Sequence, residues 1–524
     1  MKKTGKIAFI ISLFLFSING FSQSMGVWDV YSFGAKGDGK TSDTQAIQAA
    51  IDNCYRAGGG KVSLYNGRFL SGTIYLKSCV TLHIESGATL LGSNSPDDFP
   101  AIVTDYPVVS GEYPIDKALI YAERSENIAI TGFGTIDGRG DDLEPMERPR
   151  PHIIVFRSCK NIKVRNIRLY NAAFWVQKYQ SCDNMVIDGV TVDSRENKDI
   201  EKPRFIDVPG GRNTDGCNIV DCKNVRISNC NINSGDDGIV FKSFLRNEGC
   251  YNVTVNNCII TTNASGIKIG TESAGTFKDF TINNCVIYDT RGAAIGLMTV
   301  DGASVERIII SNITLRNIKG TAIFLRLGNR GRIYQNGDEK AAIGKMNDIL
   351  IQNVYGKEIE RYGCSITGIQ DAPVENIVLD NIQLTFTGSN TPLLFEGYDD
   401  KIVEELTMDI VPEKEDVYPR GEMFGKLPAY GFYVRHINNM EFNGIRLRVQ
   451  EDDKRPALVA DDVKGLTINR FSTKVSSDIS ALIYLCDVER VNIFQSPDIL
   501  PVSVFKTKSI ILPESENPVS RSNP

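Results

Sequence analysis

Along most of the chain apolar and polar residues alternate in short runs, and each run ends on Asn, Asp or Gly. The runs share one pattern: a small or polar residue, often Cys, then x-N-[IV]-x-[IV]-x-[ND]-x-x-[ILV]. It stands at Glu126-Asn-Ile-Ala-Ile, Cys159-Lys-Asn-Ile-Lys-Val, Cys182-Asp-Asn-Met-Val-Ile, Cys222-Lys-Asn-Val-Arg-Ile, Cys250-Tyr-Asn-Val-Thr-Val and Phe277-Lys-Asp-Phe-Thr-Ile. Degenerate copies begin near Val305, Met346, Val374, Ile437 and Val463. Several neighbouring copies lie about 23 to 28 residues apart, the spacing of stacked repeats. A period of two predicts strands. One coil cannot bury its apolar face alone, so the coils stack around a continuous core. With little helical periodicity, the pattern predicts an all-β solenoid, a β-helix.

The start departs from the repeat. Val30-Tyr-Ser-Phe-Gly-Ala-Lys-Gly-Asp-Gly-Lys-Thr-Ser-Asp43 is a turn-rich lead-in. Ser42 or Asp43 is placed to cap a helix through Ala46, Ile47, Ala50 and Ile51, which Gly58-Gly-Gly60 ends. Such a helix suits the cap a solenoid terminus needs. The Asn beside the first strand of each copy is read as structural, in a left-handed turn with stacked side chains. Wide gaps, 193–212 and 388–430, read as loops inserted between coils. The expected domains are a leader over 1–23, one β-helix over 24–512 and a frayed polar tail over 513–524.

That leader rests on Lys2, Lys3 and Lys6 followed by the apolar run Ile7 to Ile18, with cleavage near Ser22 or Gln23. The run is too short for a comfortable membrane span. The expectation is an exported, periplasmic or extracellular protein with no membrane insertion. Net charge is −6, with no dominant basic patch, which argues against nucleic acid. The sequence has twelve cysteines, but Cys159, Cys182, Cys222 and Cys250 share one repeat phase, and Cys230, Cys258 and Cys285 another. They read as small hydrophobes stacked in the core rather than as a disulfide framework.

Chemistry is confined by the scarcity of histidine: only His83, His152 and His436 occur. No zinc spacing, Ser-His-Asp order or phosphate-binding loop is available, so carboxylates, or Lys, Arg and Tyr, must carry any reaction. The notable constellation is Asn213-Thr-Asp215-Gly followed by Ser234-Gly-Asp236-Asp237-Gly. The two motifs lie about one coil apart, and stacked strands are about 4.8 Å apart, so Asp215 should sit beside Asp236 and Asp237. Three such carboxylates cannot all ionise freely, and a protonated acid beside an ionised base is what glycoside hydrolysis requires. A solvated turn or a calcium site fits the same spacing.

The chain resembles the polygalacturonase-type glycoside hydrolases, family 28. The resemblance rests on Gly132-Phe-Gly-Thr-Ile-Asp-Gly-Arg-Gly140, Arg148-Pro-Arg-Pro with Ile154-Val-Phe156, Trp175, the two acidic motifs in order, and Met423-Phe-Gly with Leu427-Pro-Ala-Tyr-Gly-Phe. It implies a right-handed parallel β-helix and an inverting mechanism without a cofactor. Asp236 would be the general acid, Asp215 and Asp237 would activate water, and Asn213 would orient a sugar hydroxyl or a catalytic carboxylate. Two family motifs are absent. Gly-His-Gly is replaced by Ala264-Ser265-Gly266, and Arg-Ile-Lys by Ala294-Ile295-Gly296. That Arg and Lys hold the substrate carboxylate in polygalacturonases, so simple polygalacturonan is not the expected substrate. Ser265, Lys268, Lys242 and Arg326 are the candidate replacements, and Trp175 is a candidate sugar platform.

The reading is a monomeric, exported hydrolase of a pectic or related poly- or oligosaccharide. A glycan-binding β-helix that has lost catalysis, or a polysaccharide lyase or epimerase, are the alternatives.

Overall fold

The computed structural model describes residues 26–106, 116–143, 149–195, 213–335, 337–360, 362–388, 410–421, 423–473, 481–496, 502–505, 510–511 and 519–521. The leader and the loop 196–212 lie outside these residues.

The chain winds into a right-handed parallel β-helix. Every named strand pairing is parallel, and the pairings stack coil on coil into three sheets, the first two joined in single long strands such as Thr276–Thr290. The first sheet runs through Val80–Ile84, Lys160–Arg165, Lys223–Ser228 and Gly249–Asn256. The second runs through Thr89–Gly92, Arg168–Tyr170, Thr191–Ser194, Asn231–Ser234 and Ile259–Thr262. The third carries the candidate site: Pro151–Arg157, Gln177–Gln180, Cys217–Val220, Ile239–Ser243, Ile267–Ser273, Ile295–Thr299 and Ile323–Leu327. Alternate residues of each strand point inward, and Ile219, Phe241, Ile269, Leu297 and Leu325 stack in one buried column.

The recurring Asn adopts the expected left-handed turn. Asn161, Asn184, Asn224 and Asn252 have φ of 56°, 58°, 57° and 55°. Their side chains bond from coil to coil, as in Asn184 Nδ2 to Asn161 Oδ1 at 2.8 Å and Asn252 Nδ2 to Asn224 Oδ1 at 3.0 Å. A second ladder runs Asn312, Asn353, Asn381 at 3.0 and 2.9 Å. Asn tolerates this conformation better than other non-glycine residues. Asn353→Ala is therefore expected to lower stability by about 2 kcal/mol, from left-handed strain plus a lost hydrogen bond. Asn353→Gly, which avoids the strain, should cost less; chemical denaturation compares them.

The terminal helix is Thr44–Arg56, and it buries Ile47, Ala50, Ile51 and Cys54. Asp43 stands at its N-cap but makes no capping bond. Its carboxylate instead accepts from Lys36 N at 2.6 Å and Gly37 N at 3.0 Å, pinning the lead-in beneath the helix. Local spacing suggested a cap; the turn brought two backbone donors closer. None of the twelve cysteines is in a disulfide, and all but Cys79 and Cys486 are buried. The last paired strand, Val519–Arg521, lies inside the polar tail and pairs with Val502–Val504. The open end of a coil offers backbone hydrogen bonds whatever the polarity of the pairing segment.

Candidate active site

The turns that lead into the third sheet superpose coil on coil. Gly216 N donates to Asp237 O at 2.8 Å, Gly238 N to Ser265 O at 2.8 Å, and Gly266 N to Ala293 O at 2.9 Å. Asp215, Asp237, Ser265 and Ala293 thus occupy equivalent positions on successive coils. The glycine after each is a packing requirement: a Cβ on Gly238 would come within 2.5 Å of Gly266 O. Two coils meeting in this way bring Asp215, Asp236 and Asp237 together.

Each flanking carboxylate has its own buried lysine. Lys242 Nζ lies 3.2 Å from Asp215 Oδ2, and Lys268 Nζ lies 2.7 Å from Asp237 Oδ2. Ser265 N adds a bond to Asp237 Oδ1 at 3.1 Å. Asp215 and Asp237 are buried, while Asp236 is partly exposed. Asn213 Nδ2 approaches Asp236 Oδ2 at 3.4 Å, and Arg150 Nη2 fixes Asn213 by bonding its Oδ1 at 3.1 Å. Asn213 thereby orients a carboxylate, one of its two expected roles. Asp237 N, at 2.9 Å, also donates to Asp236 Oδ1.

Burial, with Asp236 and Asp237 nearby, pushes the Asp215 carboxyl up to about 7 despite Lys242. Burial would lower the Lys242 ammonium, but Glu272 and Asp215 outweigh it and hold it above its ordinary value. Two ammonium groups already neutralising the carboxylates disfavour the calcium alternative. Among the described residues no group of three or more His, Cys, Asp or Glu could hold a metal ion.

Lys268 occupies a telling place. In the third sheet it stands between Val240 and Gly296, and Gly296 is where the resemblance puts the missing lysine. A lysine is present one coil earlier in the same outward column. Its ammonium is shared between Asp237 and Tyr418 Oη, 3.3 Å away, and the Arg330 guanidinium lies 5.3 Å from the centre of that ring. Tyr418 comes from the inserted segment 410–430. Val411, Met423, Phe424 and Leu427 of that segment pack on Ala293, Met298 and Phe324, covering the face left open by the absent Arg-Ile-Lys.

Four of the candidates, Asn213, Lys242, Ser265 and Lys268, thus converge on the trio. Arg326 does not. It is buried beneath Phe424, and its guanidinium bonds Gly368 O, Glu413 O, Lys414 O and Thr367 Oγ1 at 2.6–3.2 Å. It ties down the 410–430 segment, because that segment supplies the carbonyls its fork needs. Trp175 is also buried, among Phe174, Val220, Phe244, Ala274 and Tyr334. Its ring faces Lys242 Nζ at 3.8 Å, so it lines the wall behind the trio rather than presenting a platform.

Sequence reasoning missed Arg150, Glu272 and Arg332, and a buried cluster next to the site. There Asp116 pairs with Arg157 and, at 2.9 Å, with Lys178, while His152 Nε2 lies 3.3 Å away. Arg150 sits in a stretch that carries the family resemblance, the one signal available. Asp116 belongs to no repeat.

Sequence comparison matches residues 62–394 to the glycosyl hydrolases family 28. The chain belongs to that family. It is 26% identical over 376 residues to a probable polygalacturonase of Vitis vinifera, covering 67% of this chain and 73% of that protein. It is also 26% identical over 302 residues to an endo-polygalacturonase of Pectobacterium carotovorum subsp. carotovorum, covering 54% and 71%. In structure it resembles an exopolygalacturonase from Thermotoga maritima, with TM-score 0.56, 21% identity and coverage of 69% and 87%. A family 28 exopolygalacturonase from Yersinia enterocolitica gives TM-score 0.54 at 19% identity, covering 92% and 78%. As a family 28 member the chain is a glycoside hydrolase.

Proposed function

We propose that this family 28 hydrolase cleaves, with inversion, a linkage in a pectic or related glycan other than the galacturonate–galacturonate bond. The observation that carries this is the rebuilt face beside an intact trio: an apolar cluster on Ala293 and Met298 where a cationic clamp would lie. An apolar surface gives a carboxylate no counter-charge, so a neutral sugar such as rhamnose or galactose is the better occupant. Pectin-active names among the relatives support the substrate class, and the apolar run at the N-terminus supports export.

Below about pH 7 the site holds a proton, which burial places on Asp215. Asp236, partly exposed, delivers it to the leaving oxygen. When it does so, Asp215 and Asp237, held by Lys242 and Lys268, are ionised to activate water on the opposite side. The site must therefore lose function as that proton leaves. kcat/KM is expected to fall as pH rises through about 7, the value to which Asp215 is pushed. A rate-pH profile checks the sign: a rate that climbs through this range contradicts the assignment.

The 410–430 segment also favours action at a chain end. It covers the outward face two coils from the Asp236 turn, about 10 Å at the spacing of stacked strands. Incubation with homogalacturonan and rhamnogalacturonan oligosaccharides, with NMR of the fresh product's anomeric form, tests the whole reading. Release of a neutral sugar with inverted configuration is expected. Equal or faster cleavage of homogalacturonan, or release of unsaturated ends, would sink it.

A further inference from the structure

We propose that Glu272 and Arg332 are positioning residues for the reaction: they divide the Lys242 ammonium between two carboxylates and so set the pH at which the aspartate trio gives up its proton. This rests on the hydrolase reading of the trio.

The geometry is a line of alternating charges through the wall of the site. Asp215 Oδ2 meets Lys242 Nζ at 3.2 Å, and the same ammonium meets Glu272 Oε2 at 3.4 Å. Glu272 Oε1 meets Arg332 Nη1 at 3.1 Å, and Arg332 Nη2 meets Asp301 Oδ2 at 2.8 Å. Tyr334 Oη closes the line on Asp301 Oδ2 at 2.6 Å. Aromatic rings exclude water along it: Lys242 Nζ faces Trp175 at 3.8 Å, and Tyr334 stacks on Phe244 at 5.7 Å. Charges in so dry a setting are poorly screened and act on one another strongly.

The line has three carboxylates and two cations, so each cation serves two masters. Lys242 is the only one of the two that touches the trio. Its hold on Asp215 depends on how strongly Glu272 draws it away, and that depends on Arg332. Burial would raise the Glu272 carboxyl, yet Lys242 and then Arg332 keep it well below the usual carboxylate range. Glu272 is thus a permanent anion that competes with Asp215. Burial holds the proton on Asp215, and Glu272, by drawing on Lys242, leaves Asp215 less of that ammonium's charge.

Opposite signs follow for the two residues. Without the Glu272 charge, the ammonium serves Asp215 alone, and the proton leaves at lower pH. Without the Arg332 charge, Glu272 pulls harder on Lys242, and the proton stays to higher pH. Either would be invisible to a role confined to holding the 328–344 segment in place.

The test compares the full-length protein with Glu272→Gln, Arg332→Gln and Arg332→Lys. In Glu272→Gln the alkaline limb of kcat/KM is expected to move down by about one pH unit, the effect of an opposite charge at this range. In Arg332→Gln it should move up by less, and Arg332→Lys should restore it. Asp carboxyl 13C NMR of aspartate-labelled protein follows the same titration without substrate, and thermal melting confirms that each variant is folded. Lower rates with an unmoved limb and unmoved carboxyl titration, or shifts of the same sign in both Gln variants, would overturn the proposal. Carboxyl shifts of opposite sign in a protein that releases no sugar would leave the charge relay standing and remove the hydrolase reading instead.

Discussion

Asp236→Asn is expected to lower kcat by roughly 10²–10⁴-fold while leaving the fold intact, the contribution of a positioned general acid. The side chain is partly exposed at the turn between Ser234 and Gly238, so an amide of the same shape fits without repacking. Its amide oxygen can keep the bond from Asp237 N to the Oδ1 position, while its NH2 would face Asn213 Nδ2 in place of the Oδ2 acceptor. What it lacks is a proton to give. KM should change little, because the substitution removes an interaction that forms as the bond breaks. An aryl glycoside with a good leaving group needs little acid assistance and should be cleaved with a much smaller loss. Equal losses on activated and natural substrates would mean that Asp236 is not the acid.

Asp116→Asn is expected to cost about 3–5 kcal/mol of stability, the consequence of leaving buried cations without their counter-ion. Asp116 is the carboxylate on which Arg157 and Lys178 both converge, and all three are almost completely buried. Burial, then Arg157 and Lys242, already hold the Lys178 ammonium well below its ordinary value. The sign with pH follows. Folded Lys178 binds fewer protons than unfolded Lys178, so stability attributable to it rises with pH. The variant should regain part of its stability in alkaline solution as Lys178 becomes neutral, while Arg157 stays charged. Denaturant unfolding at neutral and alkaline pH measures both effects. Because His152 bonds Asp116 on one side and Trp175 O, at 3.1 Å, on the other, the variant should also disturb the Trp175 wall of the site.

These two sites were unequally visible in the sequence. The trio could be read because a solenoid converts sequence spacing into spatial proximity: residues one repeat apart are neighbours one strand spacing apart. The same rule made the Asn ladders and the stacked cysteines legible. Lys268 could be singled out because it alternates with Ile267 and Ile269, which places it on the outward face of its strand.

Residues outside the repeat obey no such rule. Asp116 follows a non-repeating stretch, and nothing in its neighbours announces two buried cations. Arg326 sits on a strand in the same way as Lys268, yet its guanidinium is taken by backbone carbonyls of the 410–430 segment. Trp175 has the residue type of a sugar platform, but Phe244 and Tyr334 enclose it. Asp43 holds the N-cap position and spends its carboxylate elsewhere. In each case the deciding partner comes from a distant or inserted segment.

By itself, then, the sequence determined the periodic part of this protein: stacked coils of short strands with alternating faces, and three aspartates brought together by repeat arithmetic. Only the tertiary structure decided which lysine serves which carboxylate, what covers the place of the lost clamp, and how Glu272 and Arg332 enter the electrostatics. Repeats specify contacts by a fixed offset along the chain. Insertions and buried charges find their partners only when the coils have closed around them.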